Sequence, residues 1–145
     1  MVKDNSTVKL KKGKTKMYKE IVVCFLVVVF IISIDLISNN YTKKTFSNIN
    51  ENLNNLRNEM IKENKDENKI ADNLKKVEQE WNKNLNLLSC YIEHNELEKV
   101  IRQLTLIKGN IDVEEYSQAV PQLDECVFLI NHIKDKESLL IRNLF

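Results

Sequence analysis

Residues 21–37 read IVVCFLVVVFIISIDLI, and this stretch decides how the rest of the chain is organised. Its first part, residues 21–34, contains no charged side chain. A helix over residues 21–37 is roughly 25 Å long, slightly shorter than a bilayer hydrocarbon core of about 30 Å. Flanking residues can make up this difference in length, because Lys19 can extend its ammonium group to the headgroups. Tyr18 and Tyr41 lie on either side of the run, where interfacial aromatic residues are expected. We therefore predict a transmembrane helix over residues 21–37.

Charge is distributed unequally around this helix and predicts its orientation. Seven Lys and two acidic residues precede it, whereas 15 Lys and Arg and 18 Asp and Glu follow residue 37. The positive-inside rule places residues 1–20, a lysine-rich tail, in the cytoplasm and residues 38–145 outside, in a single-pass protein of the cell membrane. A cleaved signal peptide is the alternative, but no small-x-small motif precedes Tyr41, which favours an uncleaved signal anchor.

The same charges indicate partners. A lysine-rich tail is expected to contact membrane lipid, since anionic headgroups attract juxtamembrane lysines. The net negative charge after residue 37 argues against a nucleic-acid partner.

Composition favours helices throughout. Two Gly and one Pro provide few turns, and the abundant Leu, Lys and Glu are good helix formers. The predicted fold is all-α, with one N-terminal transmembrane helix followed by an extracytoplasmic three- to four-helix bundle. About a hundred residues follow the membrane run, enough for one modest core.

Two apolar stripes with helical spacing predict the first two helices of the bundle. The first consists of Phe46, Ile49, Leu53, Leu56 and Met60. The second consists of Ile70, Leu74, Val77, Trp81, Leu85, Leu88 and Ile92. Between them lies the polar run of residues 63–69, which is either a turn or part of one long helix, because Met60 and Ile70 keep the heptad phase. We favour the turn, since a hairpin lets the two stripes bury each other.

Capping residues predict two further helices. Asn95, with an acid three residues later, has the pattern of an N-cap with a capping box, and Gly109 suits the end of that helix. Asp112 repeats the capping pattern and predicts the start of the last helix. Pro121 lies inside this helix and predicts a kink or a fresh start, because proline lacks the backbone N–H.

Short motifs in this region carry a family resemblance. They are Trp81, the stretch from Leu87 to Leu97, the Asn-His-Ile triplet at 131–133 and the terminal Asn-Leu-Phe at 143–145. On these motifs the chain resembles an uncharacterised bacterial family of membrane-anchored helical proteins, domain of unknown function 4363. The chain departs from the Asn-Ile-Phe ending of that family. The resemblance implies a helical layout after a membrane anchor and implies no activity.

Few residues are candidates for chemistry. His94 and His132 are the only histidines and lack the spacing of paired metal ligands. The chain has no Gly-rich phosphate loop and no GxSxG, CxxC or HExxH motif. We predict no catalytic residues, no metal site and no cofactor, and we expect that the protein is not an enzyme.

Cys90 and Cys126 form a candidate disulfide, since both would lie outside the cell where disulfides persist. A turn near Gly109 would place Cys126 opposite Asn95, about five residues of helix from Cys90, so pairing would require a displaced geometry.

These features favour a non-enzymatic protein–protein interaction module of the cell envelope. Its partner would be an unknown envelope protein or a second copy of the chain, held through a seam formed by Phe46, Ile49, Leu53, Leu56, Met60, Trp81, Leu85 and Leu88. One alternative is a ligand-sensing bundle that signals through a partner, because the cytoplasmic tail is too short for a signalling domain. Another is a bitopic coiled-coil scaffold of the kind used in cell division.

Overall fold

A computed structural model describes the backbone of residues 5–142 and the side chains of residues 18–138. The lysines of the N-terminal tail before residue 18, and the terminal motif at 143–145, therefore lie outside the described side chains.

Four helices account for most of the chain. They are α1 (Asn5–Met60), α2 (Glu67–Leu88), α3 (His94–Asp112) and α4 (Tyr116–Arg142), and residues 5–142 contain no strand. The all-α prediction is confirmed. The turn between the two apolar stripes is also confirmed, since α1 ends at Met60 and α2 begins at Glu67. The predicted membrane run is part of α1 and not a separate helix.

The chain divides into two compact units, one ending at Ile37 and one beginning at Ser38. In the first unit the large apolar side chains from Ile21 to Ile37 are exposed except Ile32, which is partly exposed, and none of the most apolar 18-residue window is buried. This segment is long and apolar enough to cross a membrane.

The second unit, called the bundle below, consists of residues 38–145. Polar contacts between helices give its arrangement, in which α1–α2, α2–α3, α3–α4 and α4–α1 are neighbours and each pair is antiparallel. The contacts are Tyr41 with Asn84, Glu78 with Lys108, Asn110 with Gln122, Glu96 with Lys136, Arg57 with Asp124, and Asn50 with Asn131. The bundle therefore runs up, down, up and down.

All five residues of the first predicted stripe are buried in the centre of this bundle. Each of the other helices contributes its own apolar stripe to the same core. Leu85, predicted to belong to the seam, is only partly buried and packs at the edge of the core. The narrow seam of α1 is thus covered by the chain's own helices.

Several predicted helix ends are wrong, and packing explains why. Glu93, not Asn95, is the N-cap of α3, since the N–H groups of Glu96 and Leu97 donate to its carbonyl. Gly109 lies inside α3, because burial of Ile111 extends the helix by another turn.

The last helix also differs from its prediction at its start. Asp112 ends α3 and does not cap α4, and the chain reverses at Glu114, which takes φ 60°. Pro121 does not start a new helix, since α4 runs through it from Tyr116. Pro121 lacks the backbone N–H that any other residue at this position would donate to the carbonyl of Ser117.

Candidate functional site

A chain of polar contacts lies at the end of the bundle where the backbone arrives from residue 37, called the Ser38 end below. The Tyr41 hydroxyl donates a hydrogen bond to Oδ1 of Asn84. The Asn84 side chain is buried. The Asn84 amide nitrogen donates in turn to the Glu80 carbonyl at 2.6 Å and to its carboxylate at 3.1 Å. Tyr41, one of the three predicted membrane-anchor residues, makes this contact with α2, and the other two, Tyr18 and Lys19, are exposed.

An ion-pair cluster occupies the same end. The Lys136 ammonium on α4 lies 3.0 Å from Glu93 and 3.8 Å from Glu96. The hydrogen bond with Glu93 raises the pKa of Lys136, and the neighbouring carboxylates add to this shift. Lys136 thus ties the start of α3 to the second half of α4.

Burial raises the pKa of two titratable groups near this cluster. Burial raises the pKa of the Glu137 carboxyl, which Lys136 opposes and Glu93 reinforces. Burial also raises the pKa of the Tyr91 hydroxyl, with the nearby Thr42 side chain opposing the shift. The Tyr91 oxygen is buried without a hydrogen-bond partner of normal geometry.

A shallow groove of about 220 Å³ lies between α2 and α3. Its apolar lining comes from Trp81, Leu85, Ile101 and Leu104. An ion pair between Lys108 and Glu78, 3.2 Å long, closes one side of it, and Asn82 and Thr105 complete the lining.

The outward face of α4 carries an unusual exposed aromatic group. Phe128 is 67% exposed, more than any other large apolar side chain described in the bundle, and its ring stacks on His132 with centroids 6.3 Å apart. Glu125 and Asp135 are exposed one and two turns away along the helix. These four residues are called the α4 surface below.

The residues considered for metal binding or disulfide formation are not brought together. His94 Nε2 lies 3.1 Å from Glu98 on its own helix, whereas His132 is on α4. Among residues 18–138 no group of three or more His, Cys, Asp or Glu is placed to hold a metal ion.

The two cysteines of the bundle differ in environment, and both thiols are free. Cys90 is exposed in the turn after α2, whereas burial raises the pKa of the Cys126 thiol to about 12. The contact of Asn110 with Gln122 places Cys126 opposite Leu106, well along α3 from Cys90.

Sequence reasoning missed the polar residues of the Ser38 end and the α4 surface. Asn84 lies three residues after Trp81 and four before Leu88, on the buried face where the helical spacing expects an apolar side chain, so the sequence carried a signal for it. Lys136 gave no such signal, because its partners depend on how α4 packs. Phe128 and His132 are four residues apart in one helix, so their contact could have been inferred from the sequence, whereas the exposure of Phe128 depends on which face of α4 is buried.

The fold and this site define an all-helical protein with one candidate membrane helix and a four-helix bundle. Residues 36–144 match the model of the family described as Domain of unknown function (DUF4363), and the chain belongs to this family. Comparison with curated proteins and with solved structures finds no match.

Replacing Glu137 by Gln is expected to stabilise the bundle at neutral pH. The pKa of Glu137 is raised in the folded state, so the folded protein holds this proton more tightly, and wild-type stability falls as pH rises from about 4.5 through the raised pKa. The Glu137→Gln variant does not lose stability in this way, because its side chain does not titrate. Urea unfolding of the full chain in nanodiscs, followed by the fluorescence of Trp81, measures both proteins between pH 4 and pH 8.

The exposed Glu51 provides the matched control through Glu51→Gln. A pH-independent difference between wild type and Glu137→Gln, or an equal effect at Glu51, would contradict the assignment of this shift to burial at Glu137.

Proposed function

We propose that the protein is a membrane-anchored helical module that binds another protein of the cell envelope and catalyses no reaction. The supporting observation is the combination, in one chain, of an exposed apolar segment before Ser38 and a bundle with its own closed core. Such a chain holds a folded domain at a lipid surface. The proposed orientation has the N-terminus in the cytoplasm and the bundle outside, because the lysines lie before the span.

The proposed binding site is the α4 surface. The α1 part of the predicted seam is not available to a partner, since Phe46, Leu53 and Met60 are buried in the core of the bundle. This finding argues against the scaffold alternative, which requires that seam for a coiled coil between chains. An exposed aromatic side chain is a common anchor of protein interfaces, and Glu125 and Asp135 favour a partner with an apolar pocket and a basic rim.

The orientation predicts which cysteine is reached from outside the cell. A membrane-impermeant maleimide added to intact cells is expected to label Cys90, which is exposed, and to leave the buried Cys126 unlabelled until the protein is unfolded. Mass spectrometry of the peptides measures both sites, with Cys90→Ser as the control. Labelling of Cys90 only after the cells are permeabilised would mean that the bundle lies in the cytoplasm.

The α4 surface predicts where crosslinks form. A photo-crosslinking amino acid at position 128 of the full chain in native membranes should give a discrete adduct larger than the monomer. The same amino acid at Lys75, an exposed position of α2, should give none. The substitution Phe128→Glu should abolish co-purification of the partner without altering the unfolding midpoint. Equal crosslinking from both positions, or none from position 128, would speak against this surface.

A ligand-sensing bundle is the second candidate, and the groove at Trp81 favours it. A compound that occupies the groove should shift the emission of Trp81, the only tryptophan, and raise the unfolding midpoint of the full chain. Because Ile101 lines the groove and is partly exposed, Ile101→Glu should remove both effects with the bundle still folded. If no member of a metabolite panel produces both effects, the sensor candidate fails.

A further inference from the structure

The bundle carries an exposed aromatic side chain and an apolar groove on different faces. Phe128 points outward from α4, since the sides of this helix that face α1 and α3 carry Asp124 and Gln122. The apolar groove lies between α2 and α3 and is called the Trp81 groove below. Because the four helices are neighbours in cyclic order, the outward side of α4 and the gap between α2 and α3 face different directions. A copy therefore cannot fill its groove with its own Phe128.

The two surfaces lie at the same level along the bundle axis. The register of the antiparallel pair α3 and α4 is given by two contacts, Asn110 with Gln122 and Glu96 with Lys136. Leu104 lies six residues before Asn110, and Phe128 lies six residues after Gln122. Leu104 also lies eight residues after Glu96, and Phe128 lies eight residues before Lys136. Both contacts thus place Phe128 level with Leu104, which lines the Trp81 groove.

A shared membrane brings these levels together in neighbouring copies. In each copy the apolar segment that ends at Ile37 leads directly into the bundle at Ser38. Bundles held by the same segment in one membrane begin at the same depth and run in the same direction. The Phe128 ring of one copy therefore reaches the Trp81 groove of the next without a shift along the bundle axis.

The charges beside the two surfaces match in this parallel arrangement. Glu125 lies one turn of α4 from Phe128, toward the Met60 end of the bundle. Lys108 lies one turn of α3 from Leu104 in the same direction. The exposed Glu125 carboxylate of one copy and the exposed Lys108 ammonium of the next therefore meet at one level. If the bundles were antiparallel, Glu125 would instead meet the apolar end of the groove at Ile101.

The resulting contact combines apolar burial with a charge pair at its rim. The groove offers the Phe128 ring the side chains of Trp81, Leu85 and Ile101, and aromatic rings pack well on an indole. Lys108 keeps its contact with Glu78, 3.2 Å away, because an ammonium group has three donors. An interface this small is weak between free proteins. Confinement to one membrane raises the effective concentration of one copy around another.

We propose that the partner of the α4 surface is a second copy of this chain, whose Trp81 groove takes the Phe128 ring and whose Lys108 pairs with Glu125. This inference rests on the proposed function, because it takes the α4 surface as the binding site and adds the identity of the partner. The two surfaces of one copy face different directions, so the contact is heterologous. Association therefore continues beyond a dimer, into a row or ring of bundles along the membrane.

Two complementary variants test the contact. Phe128→Glu removes the aromatic anchor and keeps the groove, whereas Ile101→Glu blocks the groove and keeps Phe128. Both positions are exposed, so both variants are expected to fold. If Ile101→Glu does not fold, Thr105→Arg at the exposed rim of the groove replaces it. Full chains carrying Cys24→Ser and a dye on Cys90 are placed in supported lipid bilayers, and bleaching steps count the copies in each assembly.

The wild type is expected to form assemblies of more than two copies, and each variant alone is expected to be monomeric. A mixture of the two variants retains one intact contact, so it should form dimers and nothing larger. Monomeric wild type, association of either variant alone, or a mixture without dimers would overturn the proposal.

Disulfide crosslinking tests the level at which the copies meet. Glu125→Cys and Lys108→Cys are combined in the full chain carrying Cys24→Ser and Cys90→Ser. Mild oxidation in membranes should give a ladder of multiples of the monomer mass. The control combines Glu125→Cys with Glu51→Cys, an exposed position of α1 that the contact of Asn50 with Asn131 places at a similar level. The ladder should form at least about tenfold faster with the first pair. Equal rates would contradict the proposed contact.

The photo-crosslinking amino acid at position 128 separates this inference from the proposed function. A second copy crosslinked through a peptide of the Trp81 groove supports both. An adduct with a different protein leaves the α4 surface as a binding site and overturns the second copy as its partner. If position 128 gives no adduct in native membranes, both the proposed binding site and this inference fail.

Discussion

Burial of the apolar stripe from Phe46 to Met60 on α1 is the interaction on which the rest of the bundle depends. Fully burying each such side chain contributes about 1.5–3 kcal/mol relative to exposure. One partner helix cannot cover the stripe on every side, so α2, α3 and α4 close around it. The loops are short because each helix must return directly to this stripe. Partners must therefore use the outer faces of the bundle.

The same helix carries a second, very different apolar region. Between Ile21 and Ile37 apolar side chains point in every direction, whereas from Phe46 they occupy one face. A helix that is apolar all round is stable in lipid, and a helix apolar on one face is stable against other helices. The family match covers residues 36–144, which include only the last two residues of the apolar run. This change in pattern links a lipid-compatible segment to a folded domain.

Polar side chains make the Ser38 end of the bundle different from the Met60 end. Asn84 stands at an apolar position of α2 and organises Tyr41 and Glu80, and Lys136 gathers the carboxylates of Glu93 and Glu96. These groups specify how the helices meet at the Ser38 end, at a cost in stability that aliphatic residues would not impose. At the Met60 end the core is aliphatic, and the polar contact of Arg57 with Asp124 lies at the surface.

The sequence by itself determined the helical class, the membrane-compatible run, the apolar stripes and the hairpin after Met60, because these depend on periodicity and local composition. It did not determine the ends of α3. Gly109 is only a weak signal for the end of a helix, and burial of Ile111 in the core continues the helix beyond it. It also did not reveal the contact of Tyr41 with α2, because an aromatic beside a span has the same local pattern whether or not it contacts another helix. Only the tertiary structure decided which helices are neighbours, and hence that Tyr41 meets Asn84 and Lys136 meets Glu93, since contacts between distant residues depend on how amphipathic helices rotate to share one core.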